Sequence, residues 1–287
     1  MFLTSASPPA KPGLLAPKKH LAQQFSRAAA TYDQAASIQQ QVATQLLQQL
    51  GPLEGHWLDL GCGSGANFAA LQAAGADQIT GVDLAAGMLD IATSRAQPAI
   101  QLVQADADQL PFRPAQFAGV FSSLMLQWSH QPAQSLRHWV DLLQPGGYLA
   151  IATLLPGTQQ EIKQAWQQLD DRPHVMDFMP SGVLYQLLAH LPLRLSSWHT
   201  ATLQQEFDQF SSLLRQLKAI GATNTLPGRA TGLGGRQALR RLEEVYPRTA
   251  EGRFPLTYQV GWLIAQVRPQ DTKPRQLARR TDTAATF

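Results

Sequence analysis

At 287 residues, with 44% of them apolar and 15% charged, the chain is long enough for one large core or a core with a subdomain. Its formal net charge of +3 is unevenly spread, with a net −6 over residues 55–206 and +4 over 207–254, which argues against a uniformly basic nucleic-acid surface. No apolar run approaches the ~20 residues of a membrane span, and one cysteine, Cys62, excludes an intrachain disulfide and suits a reducing cytoplasm.

The first segment, Met1 to Pro17, is rich in Pro, Ala and Ser and lacks the basic cluster and apolar core of a signal peptide. Residues 1–18 are expected to be a disordered lead. Between Gln24 and Ala36, Phe25, Ala28 or Ala29, and Tyr32 recur at helical spacing. This places helices within residues 19–50.

The segment Leu58-Asp59-Leu60-Gly61-Cys62-Gly63-Ser64-Gly65 follows. His56 to Leu60 reads as a buried strand and Ala66 to Ala74 as a helix with Phe68 and Leu71 inward. A glycine turn between strand and helix lets the backbone approach a ligand closely. Gly61, Gly63 and Ala66 also meet the relaxed pattern of dinucleotide-binding proteins, so the glycines alone do not select a cofactor. Acids narrow the choice. Asp59 can pair with a cationic group and would repel a pyrophosphate. Asp83 ends a second strand, Ile79 to Asp83, where a ribose diol would be held. A third strand, Ile100 to Ala105, ends in Asp106-Ala107-Asp108, where an adenine amino group could donate. S-adenosyl-L-methionine (SAM), with its ammonium and sulfonium, suits this set. Cys62 is read as the small residue the loop needs, not as a nucleophile.

Further along, Phe117 to Ser122 is a fourth strand, Pro132 to Leu143 a helix stopped by Pro145-Gly146-Gly147, and Tyr148 to Leu154 a fifth strand. Thr158 to Leu169 carries Ile162, Ala165, Trp166 and Leu169 on one helical face, and Ser181 to Leu191 reads as another helix. Leu193 to Leu203 and Leu256 to Val267 are the sixth and seventh strands. About fifty residues between them, 207–254, hold a helix from Phe207 to Ala219, a Gly- and Arg-rich loop, and a helix near Arg236 to Val245. An insertion this long is usually functional, here as a lid or docking surface. Residues 268–287 read as a basic disordered tail. Seven histidines show no metal-ligand spacing, so no metal is expected.

The motifs LDLGCGSG, GVDLAAGML, QADADQLPF and LQPGGYL, in this order, resemble the class I SAM-dependent methyltransferases. The resemblance implies an α/β, Rossmann-like doubly wound sheet of seven strands, the last antiparallel, with a helical insertion between strands six and seven. The cofactor would be held by Asp59, Gly61, Gly63, Gly65, Asp83, Leu84, Met88, Asp106, Ala107, Ser122 and Ser123.

Other segments narrow the resemblance. Phe25-Ser26-Arg27-Ala28-Ala29 with Tyr32, Ser122-Ser123-Leu124 with Gln127-Trp128, Ala165-Trp166 with Asp171-Arg172-Pro173-His174, Leu217 to Thr223, and Gly252 to Tyr258 are similar to the malonyl-acyl carrier protein O-methyltransferases of biotin synthesis. The similarity runs from about Lys19 to Val267, which implies one methyltransferase domain over residues 19–267. The implied reaction moves the SAM methyl group to the free carboxylate of a malonyl thioester, priming pimeloyl synthesis. That carboxylate is already ionised at pH 7 and needs no general base. Tyr32, Lys218, Arg172 and Tyr258 are the implied catalytic candidates. Acyl carrier protein, which is acidic, would dock on Arg215, Arg229, Arg236, Arg240 and Arg241. Competing readings are a methyltransferase for another small carboxylic acid or a quinone, and a non-catalytic scaffold binding SAM and acyl carrier protein. A nucleic-acid methyltransferase is disfavoured because no N-P-P-Y-type motif is present.

Overall fold

The computed structural model describes residues 16–220 and 233–268. Two helices come first, α1 (Lys18–Ala35) and α2 (Ser37–Leu50), separated at buried Ala36. An alternating series follows: β1 (His56–Leu60), α3 (Phe68–Ala73), β2 (Gln78–Asp83), α4 (Ala86–Thr93), β3 (Ile100–Gln104), β4 (Phe117–Ser123), α5 (Pro132–Asp141) and β5 (Leu143–Leu154). Then come α6 (Gln160–Gln167), α7 (Ser181–Ala189), β6 (Leu193–Phe207), α8 (Phe210–Ala219), α9 (Leu233–Val245) and β7 (Phe254–Val267).

The strands form one sheet in the order β3-β2-β1-β4-β5-β7-β6. Strands β1 to β5 are mutually parallel, whereas β7 runs antiparallel to both β5 and β6. Strand order reverses between β1 and β4, so the ligand crevice belongs outside their carboxyl ends. Side chains alternate between the two faces, as the pleat requires. Trp57, Ala150 and Ala152 join the core beneath α2 and α3, while Leu58, Leu60, Leu149 and Ile151 join the one beneath α5 and α7.

Helix α3 starts at Phe68, later than the periodicity suggests, because the chain first rounds three glycines with φ of 71°, 54° and 76° at positions 61, 63 and 65. A Cβ on Gly65 would stand 2.5 Å from the Phe68 ring, so this residue holds the loop against the helix. Strand β6 also outruns its expected end. It pairs with β7 from Leu193↔Val267 to Phe207↔Phe254, making a long hairpin. Because β6 is antiparallel to β7, and β7 to β5, the hairpin delivers the insertion at the sheet's carboxyl edge. There Phe210, Tyr246 and Phe254 pack with ring centroids 5.2 to 5.9 Å apart. The Tyr246 hydroxyl donates to the Pro255 carbonyl at 2.8 Å, fastening the insertion to β7.

Of the expected N-terminal lead, Ala16 to Lys18 are described, and Ala16 is buried. The Ala16 carbonyl lies 3.1 Å from His130 Nε2. Of the expected tail only Arg268 is described, its N–H donating to the Pro192 carbonyl. Among the described residues no helix is long and apolar enough to cross a membrane.

Candidate active site

A cleft opens where the glycine loop, the ends of β2 to β5, α1 and the start of β7 meet, and its space, mouth included, is about 1310 Å³. Its two ends differ in chemistry.

One end is acidic and formed by neighbouring strand ends. Asp83 lies at its centre, with Oδ2 accepting from the Gly63 N–H at 2.9 Å and Oδ1 from the Ala85 N–H at 2.8 Å. Each oxygen retains acceptor capacity for a hydroxyl of a ligand. Burial pushes the Asp83 carboxyl up, and the Ala85, Gly63 and Leu84 N–H groups offset part of this. Asp59 is 1% exposed, and its Oδ2 has no hydrogen-bond partner. Burial, then the charge of Asp83, pushes it up to about 8. Asp106 Oδ1 accepts from Lys18 Nζ at 2.9 Å and from the Asp108 N–H at 3.0 Å. Leu84, Met88 and Ala107 supply apolar walls.

These features fit SAM better than a dinucleotide. A Cβ on Gly63 would meet nothing within 4 Å, which leaves room for a ligand against the loop. The loop N–H groups are committed within the protein: Gly61 and Cys62 donate to Val82, Gly63 to Asp83 and Gly65 to Cys62. A pyrophosphate would find few free donors here, whereas a cation would find the carboxylates of Asp83 and Asp106, with the orphaned Asp59 oxygen buried behind the loop. Cys62 is buried, and burial followed by Asp59 and Asp83 raises its thiol well above the usual range, leaving it inert.

The other end is walled by segments far apart in sequence: Tyr32 and Gln39 from α1 and α2, the end of β4 and the turn after it with Gln127 and Trp128, Leu154 ending β5, Gln159, the run with His174 and Phe178, Ile220, and Tyr258 on β7. Burial pushes the Tyr32 phenol far up, helped by Asp83 and Asp33. Tyr258 is pushed the same way by burial, then Glu161 and Tyr32, and its hydroxyl is buried without a partner. Both phenols therefore remain protonated donors at any working pH. Glu161, itself buried, is tied to Thr257 by the latter's N–H and hydroxyl, which fixes the strand beside Tyr258.

Helix α1 covers the cleft and is held along its length. Lys18 Nζ bridges Asp106 and Asp108 at 2.9 Å each. Ser26 Oγ accepts from the Gly87 N–H at 3.1 Å. Asp33 meets Arg95 Nη2 at 2.6 Å and the Ser64 hydroxyl at 2.6 Å, linking the helix to the glycine loop. From α8, Gln216 donates to the Ala35 carbonyl at the end of α1.

The cleft gathers Tyr32, Tyr258, Gly61, Gly63, Asp83, Leu84, Met88, Asp106, Ala107 and Ser123 from the residues expected in the site. Asp59, Gly65 and Ser122 stand behind its surface; Ser122 is fully buried with an unpaired hydroxyl. Lys218 and Arg172 are not brought to it. Lys218 is exposed in the last turn of α8, and Arg172 is exposed and turned onto Asp170, 2.9 Å away. Among the proposed docking arginines, Arg215, Arg240 and Arg241 are exposed, Arg236 belongs to α9, and Arg229 lies outside the described residues. Sequence reasoning assigned no role to Lys18, Asp33, Arg95 or His174. Only His174 had a signal there, its place in Asp171-Arg172-Pro173-His174; the others are joined by tertiary contacts alone.

A family model described as a methyltransferase domain matches residues 58–151. The malonyl-[acyl-carrier protein] O-methyltransferase of Serratia marcescens is 36% identical over 246 residues, covering 85% of this chain and 94% of that protein. The protein of the same name from Yersinia pestis is 35% identical over 251 residues, covering 87% and 91%. The chain belongs to the malonyl-acyl carrier protein O-methyltransferase family. The biotin biosynthesis bifunctional protein BioHC of Cellvibrio japonicus is 38% identical over 251 residues, 86% of this chain, which spans 50% of that longer protein. The fold is shared more widely. The YcgJ protein of Bacillus subtilis superposes with a TM-score of 0.59 at 15% identity, over 80% of this chain and 99% of that one. The cofactor of this methyltransferase domain is SAM.

Proposed function

We propose that this protein methylates the free carboxylate of a malonyl thioester carried on acyl carrier protein, in biotin synthesis. One observation carries the reading. The family resemblance extends far beyond residues 58–151, through the segments that wall the acceptor end of the cleft. Gly63, Asp83 and Asp106 would hold SAM, with Asp59 behind the loop. When bound, SAM supplies an electrophilic methyl group on a sulfonium.

The chain's own residues supply position and a dry site. The acceptor carboxylate is ionised at pH 7, so no side chain has to remove a proton. The task that remains is orientation and exclusion of water. Helix α1 and Trp128 close the cleft, with Phe25 against Trp128 edge to face at 5.6 Å. Tyr258 and Tyr32, held protonated, are neutral donors that orient a carboxylate without quenching its charge. Arg215, Arg240 and Arg241 lie on the basic insertion, where they suit an acidic carrier protein.

The test is transfer of labelled methyl from SAM to malonyl-acyl carrier protein, beside acetyl-acyl carrier protein, malonyl-coenzyme A and free malonate. A base-labile methyl ester on the malonyl carrier protein and none on the acetyl one is the expected result. Bound SAM with no transfer to the malonyl carrier protein would overturn the reading.

A further inference from the structure

We propose that His174 recognises the acceptor's free carboxylate, with Trp166 and Asp170 as positioning residues; the inference rests on the malonyl reading above. Among the described residues that line the cleft, two side chains can carry positive charge, Lys18 and His174. Lys18 is committed at the cofactor end, bridging Asp106 and Asp108. His174 is at the acceptor end, in the run that includes Val175, Met176 and Phe178.

Two contacts fix the imidazole. Its ring stacks on Trp166 with centroids 3.8 Å apart and planes 6° from parallel. Its Nε2 lies 2.7 Å from Asp170 Oδ1. Stacking sets the plane of the ring, and the hydrogen bond sets its rotation within that plane. Nδ1 has no partner among the described residues and is the nitrogen left for a ligand. Asp170 is held in turn by Arg172, whose N–H and guanidinium reach it at 3.0 and 2.9 Å. Burial pushes the Asp170 carboxyl up, but the hydrogen bonds from His174 and Arg172 outweigh this and hold it below the usual range. Arg172 thus acts on the cleft through two other side chains.

The geometry suits the reaction. To bond Asp170 and a substrate carboxylate together, both ring nitrogens carry protons, and the resulting imidazolium stands between two negative charges. One ring N–H grips one carboxylate oxygen and leaves the other to attack. A guanidinium in the same place would occupy both oxygens. Once that other oxygen is methylated, the product carries no charge there and loses the ionic part of its hold, which favours its departure.

The test uses S-adenosylhomocysteine, which has no methyl group to transfer, so that acceptor binding is read without turnover. Binding of malonyl-acyl carrier protein is compared with that of its carboxamide isostere. The wild-type protein should prefer the carboxylate by roughly 10- to 100-fold, the range of a charge-assisted hydrogen bond. His174→Ala should reduce that preference to within about threefold, with the carboxamide's affinity little changed. His174→Asn, which keeps a neutral donor near the position of Nδ1, should fall between the two and guards against misfolding of the alanine variant. Parallel weakening of both ligands, with the preference intact, would mean a structural role and overturn the inference. Absence of methyl transfer by the wild-type protein would instead overturn the malonyl reading on which it rests.

Discussion

The two ends of the cleft are built in opposite ways. The cofactor end comes from strand ends that are consecutive in sequence, and its acids and glycines lie between Asp59 and Asp106. The acceptor end brings together Tyr32, His174 and Tyr258, which no local pattern connects. One end therefore follows from the fold itself, which proteins of very different sequence share. Fold shared at that level says nothing of substrate. The other end is the one proposed above to choose the acceptor.

Substitutions should separate the ends. The largest effect is expected at Asp83, because it lines the cleft and also organises the Gly63 and Ala85 N–H groups. Asp83→Ala should weaken SAM binding about 100-fold or more, read by calorimetry, since it removes a charged acceptor and frees two buried donors. An unchanged affinity would show that the cofactor is held elsewhere. Tyr258→Phe should lower kcat about tenfold while leaving SAM affinity within twofold, as expected for one lost donor. A matching fall in SAM affinity would remove the division between the ends.

A pH effect of similar size belongs to the cofactor end alone. Asp59 in the free protein is pushed up to about 8, so it holds its proton at pH 6. A cationic ligand favours the ionised form, and binding then releases a proton below pH 8. SAM affinity should rise by up to about tenfold per pH unit between pH 6 and 8 and flatten above that. Asp59→Asn should abolish the slope; a slope that survives would assign it to another group. Smaller still is the latch on α1. Asp33→Ala removes its links to Arg95 and Ser64 and should speed SAM release several-fold in stopped-flow experiments, without altering the preference for malonyl over acetyl carrier protein. Arg240→Glu with Arg241→Glu should raise KM for the carrier protein a few-fold and reduce its salt dependence.

The same division governs what the sequence reveals. The strands from His56 to Leu154 are short, apolar and punctuated by glycine or proline, so the α/β order is legible without coordinates, whereas the antiparallel last strand is implied only by the family resemblance. The glycine-acid motifs are legible too, because Gly61, Gly63, Asp83 and Asp106, which line the cleft, sit at or just after strand ends whose position the hydrophobic run already marks. The extra length of β6, to Phe207, is hidden because its outer residues are half exposed and mostly polar. His174 was visible only as part of a motif. Its value comes from Trp166 and Asp170, which fix a ring that metal-ligand spacing would never single out. Arg172 and Lys218 were attractive as cations, but charge type in a matched segment does not say which way a side chain turns.

The wall of the cleft has a consequence for how the molecule is made. Trp262 Nε1 on β7 donates to the Val42 carbonyl on α2 at 2.9 Å, and Tyr258 faces the cavity that Tyr32 also lines. These partners are separated by more than two hundred positions along the chain, and synthesis proceeds at ~5–20 residues per second. For roughly ten seconds or more on the ribosome, α2 would wait without the last strand it packs on, part of its apolar face open to chaperones. A nascent chain could gain its glycine loop early, yet its cleft would lack the wall that Tyr258 provides until the seventh strand had emerged.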